Sequence, residues 1–149
     1  MTSCPPIDAC VPHRGLMKLV DRLVEADETG AVVEVDVPLD GLFVRDGVVP
    51  AWVGIEYMAQ AVSAWAGARA LSGGGQPRIG FLLGTRRYEA RCAGFSGGRT
   101  LRVQARCEMM ADNGLGMFDC TIELDGRELA TGRLSVFEPS DPADPAGPA

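Results

Sequence analysis

AWVGIEYMAQAVSAWAGA, residues 51–68, decides the fold: eighteen residues carry one charged side chain, Glu56. Alanine, methionine and glutamine favour helix, and the apolar residues run around the whole cylinder instead of along one stripe. Such a helix has to be covered on most of its circumference. Its small residues (Gly54, Ala59, Ala61, Ala64, Ala66) let a sheet approach closely. Pro50 suits the first turn, and Ser72-Gly73-Gly74-Gly75 ends the helix. Glu56, Gln60, Ser63 and the glycine and proline interruptions argue against a membrane span.

On the N-terminal side, Met17–Ala26 (MKLVDRLVEA) reads as a strand, less cleanly as a short helix. After the turn at Glu28-Thr29-Gly30, Val33, Val35 and Val37 alternate with Glu34 and Asp36, which predicts a half-buried strand and a hairpin. Residues 40–50 form a loop with Asp46-Gly47. On the C-terminal side, Ile79–Ala90 reads as a strand. In Leu101–Met109 the expected inward set is Leu101, Val103, Ala105, Cys107 and Met109. In Leu115–Leu124 it is Phe118, Cys120, Ile122 and Leu124. Asp125-Gly126 predicts a two-residue primed turn into Arg127–Phe137, with Ala130, Gly132, Leu134 and Val136 on one face.

The predicted order is two strands, a buried helix and four antiparallel strands: an α+β domain, one curved antiparallel sheet wrapped around a single helix. Residues 1–10 read as an N-terminal loop, 11–137 as the domain, and 138–149 (EPSDPADPAGPA) as a disordered tail. The sheet edges left by such an arrangement predict a dimer.

The chain has 149 residues, 46% hydrophobic and 23% charged, which fits one globular core and excludes global disorder. A net charge of −6 argues against nucleic-acid binding through bulk charge. Five cysteines without a C-x-x-C pair, and a single histidine, supply a zinc site poorly. No cofactor or metal is expected. The opening MTSCPPID lacks the pattern of a signal peptide, and a reduced, cytoplasmic protein is expected. Between Arg69 and Arg106 lie eight arginines and one acid, a net of +7. The remaining six basic and nineteen acidic residues carry a net of −13. That basic segment reads either as solvated strand faces or as a docking patch for an acidic or phosphate-bearing partner.

Val11-Pro12-His13-Arg14, Leu19-Val20-Asp21-Arg22 and Ile55-Glu-Tyr-Met-Ala-Gln-Ala61 resemble the hotdog-fold 3-hydroxyacyl-[acyl carrier protein] dehydratases. The likeness covers roughly Val11 to Phe137, and the closing strands look most like the divergent dehydratase-like subunits of aryl-polyene biosynthesis clusters. The resemblance implies a dimeric hotdog fold that turns 3-hydroxyacyl thioesters, held on acyl carrier protein, into trans-2-enoyl thioesters. It implies a catalytic role for Glu56 and places His13 of the P-H-R motif along the acyl tunnel, where it either reaches the substrate as a catalytic base or is a structural histidine bonded to backbone. Ala51 and Trp52 at the helix start, with Gln60 one turn after Glu56, would serve the thioester oxygen and the substrate. Arg86, Arg87 and Arg91 would dock the acidic carrier protein.

Two departures stand out. The family's catalytic histidine falls on Leu42, and its helix-start glycine falls on Ala51. Leucine cannot shuttle a proton. The alternatives are therefore a half-site subunit completed by a histidine-bearing hotdog paralogue, a non-catalytic carrier-protein binder, and a hotdog thioesterase.

Overall fold

The structure is a computed structural model that describes residues 4–73 and 81–137. In chain order its elements are α1 (Ile7–Cys10), a 3-10 turn (Gly15–Met17), β1 (Arg22–Ala26), β2 (Gly30–Asp36) and β3 (Val48–Pro50). A second 3-10 turn (Ala51–Val53) leads into α2 (Gly54–Ser72). Then follow β4 (Phe81–Ala90), β5 (Gly94–Ser96), β6 (Thr100–Met110), β7 (Leu115–Leu124) and β8 (Arg127–Phe137). Six strands form one antiparallel sheet in the order β1-β2-β6-β7-β8-β4, and β3 pairs with β5 beside it.

Helix α2 lies in the hollow of this sheet, as the hotdog resemblance implies. Tyr57, Met58, Ala61, Ala64 and Trp65 on the helix, and Val33, Val35, Leu101, Val103, Phe118, Ile122 and Leu134 on the strands, share one buried cluster. The alternation expected of the strands holds over most of their length, because inward residues must meet the helix. The helix ends at Ser72 with Gly73 as its cap. The hairpin turn has positive φ at both Asp125 (52°) and Gly126 (80°), as a primed two-residue turn requires.

The structure departs from the sequence reading in three places. Met109 faces outward and is 45% exposed, because the β6–β7 register shifts between Cys107 and Met109 and the extra residue reverses the alternation. The loop 40–50 ends in β3, and β5 joins it, so among the described residues five strands follow the helix instead of four. Residues 7–10 are a helical turn, not loop; Cys10 seats against α2 where Gly67 has no side chain. An added Cβ there would stand 2.7 Å from Cys10 Cα. Trp52, expected at the helix start beside the substrate, is 61% exposed in the single chain. The expected tail 138–149 and the start of the predicted strand at Ile79 lie outside the described residues. No helix among the described residues is long and apolar enough to cross a membrane.

Candidate functional site at the start of the central helix

The first turns of α2 gather the polar groups that the sequence singled out. Glu56 sits half-buried in the first turn. One turn later Gln60 is fully buried, and its Nε2 donates to Glu56 Oε1 at 3.4 Å. The same amide holds the preceding loop: Leu19 N–H donates to Gln60 Oε1 (2.8 Å), and Nε2 donates to the Met17 carbonyl (2.7 Å). Because a backbone N–H can only meet the oxygen of the amide, the nitrogen is left to face Met17 and Glu56. Gln60 therefore touches the carboxylate while tying the loop to the helix.

The helix start is fixed from the sheet side. Tyr88 on β4 donates its hydroxyl to the Ala51 carbonyl at 2.5 Å. The space where Gly54 would carry a Cβ is filled by that hydroxyl. Burial pushes the Tyr88 phenol up to about 12, so it stays protonated and remains a donor at neutral pH. The Ala51 N–H, expected to meet a thioester oxygen, donates instead to the Ala93 carbonyl at 3.2 Å.

His13 lies in a turn clamped by its neighbour. Arg14 donates to the carbonyls of Val11 (2.6 Å), His13 (2.7 Å) and Asp8 (2.6 Å). The imidazole Nδ1 is buried and has no hydrogen-bond partner among the described residues. Thus Glu56 and Gln60 are brought together, and no hydrogen bond among the described residues joins His13 to either. Leu42, at the family's histidine position, is 52% exposed. Trp52 packs edge-on to Phe43, the next residue after Leu42, at 5.6 Å. Leu16, Met17 and Leu39 add further exposed apolar surface.

The basic segment is dispersed by ion pairs. Arg87 meets Glu89 at 3.8 Å, Arg91 meets Glu128 at 3.4 Å, and Arg102 meets Glu25 at 3.3 Å. Arg99 pairs with Asp125. Arg86 sits where the β4–β8 register shifts, with no ion pair among the described residues. A groove of about 480 Å³ lies beside it, lined by Gly84, Thr85, Arg86, Leu115, Met117 and Ser135, and shares no residue with the Glu56 cluster.

Sequence reasoning missed Tyr88 and Ala93. A tyrosine in an arginine-rich strand carries no local mark of its contact with a helix start 37 residues away.

The ApeP-like family, described as ApeP dehydratase, matches residues 5–146. No match was found among curated protein sequences. Among solved structures, the dehydratase heterocomplex ApeI:P from Xenorhabdus doucetiae is similar at 30% identity and a TM-score of 0.84, over 92% of this chain and 93% of that one. The virulence protein Cj0977 from Campylobacter jejuni shares the fold at 11% identity and a TM-score of 0.65, over 91% and 89%. The protein smu.793 from Streptococcus mutans, solved with acetyl CoA, does so at 14% and 0.64, over 85% and 93%. A match over nearly the whole length, on a hotdog sheet with its carboxylate in the first turn of the central helix, makes this chain a member of the ApeP-like dehydratase family.

Proposed function

We propose that this chain lends Glu56 to the dehydration of 3-hydroxyacyl thioesters carried on acyl carrier protein, in a site completed by a second hotdog chain. In that reaction a base removes the proton on C2, the C3–O bond breaks, and the hydroxyl leaves as water with a proton from an acid. The C2=C3 double bond of the enoyl thioester remains. The observation that carries the reading is a supported carboxylate without a proton partner. Glu56 is held by Gln60, which is itself anchored at both ends, while the histidine position is leucine and the Ala51 N–H is engaged. Glu56 has the chemistry to protonate the departing hydroxyl, and the base then comes from outside this cluster. The name of the similar heterocomplex supports a hotdog partner as its source.

His13 is the chain's own alternative, favoured by its buried, unpartnered Nδ1. The test is a single-turnover assay of enoyl formation from a 3-hydroxyacyl carrier protein, with the chain alone and with a histidine-bearing hotdog partner. Glu56→Gln should lower the rate of the pair by roughly 10²–10⁴-fold, the usual worth of general acid–base help, with the pair still assembled. Unchanged turnover of the Glu56→Gln pair would refute the reading. Full activity of the chain alone, lost in His13→Ala, would assign the base to His13.

A further inference from the structure

We infer that the β4 edge selects its partner by charge: Arg86 and Arg87 disfavour a second copy of this chain and favour a hotdog chain with carboxylates on the matching strand. This rests on the reading of the chain as one of a hotdog pair.

The sheet has two edges, and they are not alike. β1 has five residues, a register shift between Leu23 and Glu25, and a Val24 carbonyl that accepts from the Cys4 thiol at 3.4 Å. That edge is short, kinked and partly capped. β4 has ten residues, and no strand among the described residues pairs with its outer side. A long edge of this kind presents a row of backbone donors and acceptors that a second strand can satisfy.

The middle of β4 reads Gly84-Thr85-Arg86-Arg87-Tyr88. Pairing with a copy of itself would be antiparallel about a two-fold axis. Neighbouring strands lie about 5 Å apart, and a register centred between Arg86 and Arg87 sets Arg86 of each copy directly opposite Arg87 of the other. The local compensation is small. Glu89 reaches Arg87 only at 3.8 Å, with both side chains well exposed. Directly across β8, Arg87 faces Arg133, whose own partner is Asp119 at 3.6 Å. A homodimer centred there would add the second copy's Arg86 to this row. A strand bearing Asp or Glu would supply the missing acids, and like charges placed opposite one another penalise the wrong partner. Arg86 and Arg87 are thereby assigned to the choice of subunit.

The test mixes the full-length wild-type chain with its R86E/R87E variant, after circular dichroism shows both folded, and follows association by sedimentation velocity. The mixed dimer should be tighter than either like-with-like dimer by about tenfold or more at low salt, and the gap should narrow at high salt. If the wild type self-associates as tightly as the mixture, or the mixture gains nothing, the inference falls. Should charge reversal unfold the chain, R86Q/R87Q replaces it. The neutralised chain should then self-associate more tightly than wild type at low salt, and no difference would overturn the idea. Dehydration plays no part in this readout, so its failure leaves the Glu56 reading to be judged by its own assay.

Discussion

Gly54 and Tyr88 form a pair whose worth neither residue shows alone. An added Cβ at Gly54 would collide with the Tyr88 hydroxyl and stand 3.0 Å from Ile122 Cδ1 and 3.1 Å from Phe95 Cζ. Of these three, the hydroxyl is held hardest, because it is bonded to the Ala51 carbonyl. Gly54→Ala is therefore expected to cost about 1–3 kcal/mol, the usual penalty of forcing extra volume into a packed site. Alanine's better helix propensity offsets only part of that. In a Tyr88→Phe background the obstructing oxygen is gone, and the cost of Gly54→Ala should fall well below its wild-type value. Urea unfolding of the four proteins in this double-mutant cycle measures the coupling; additive effects would mean that the hydroxyl does not set the need for glycine.

At the level of elements, the seam between the Gly15–Met17 turn and α2 depends on one amide. Gln60→Leu keeps the volume but leaves the Leu19 N–H and the Met17 carbonyl without their partner. A loss of about 1–3 kcal/mol is expected in urea unfolding. A neutral result would mean that solvent replaces the amide. This seam also separates what was legible in the sequence from what was not. The Glu56–Gln60 pair could be read because i and i+4 are neighbours on any helix. Its anchors could not, since Leu19 and Met17 are 41 and 43 residues away. The long strands were legible from their two-residue period, and α2 from its unbroken apolar surface. β3 and β5 were not, because three residues are too few to show a period. The Met109 error came from the same period: one bulge reverses it, and nothing local in CEMM announces a bulge.

Across the whole molecule, the sheet mixes charges that the chain keeps apart. Reading outward from β1, Arg22, Glu34, Arg102 and Glu123 stand in register on successive strands, alternating in sign. The basic segment thus meets acids drawn from the rest of the chain, an arrangement invisible before the strands are paired. Outside that segment, Arg22 donates to Glu34 at 2.8 Å and to Asp36 at 2.6 Å. The hydrogen bond from Arg22, followed by that from Thr100, lowers the Asp36 carboxyl to about 2. A depressed carboxylate stabilises the fold above its unfolded value, near 3.9, and loses that contribution as pH falls toward its folded value. The window is therefore about pH 4 down to about pH 2. Half of the Asp36 side chain is exposed, so solvent screening holds the contribution to below about 1 kcal/mol. Asp36→Asn removes the titrating group. Urea unfolding followed from pH 5 to pH 2 should show a shallower loss of stability for the variant than for wild type, the two curves converging at the acid end. Parallel curves throughout would mean that the Arg22 cluster contributes nothing that depends on the Asp36 charge.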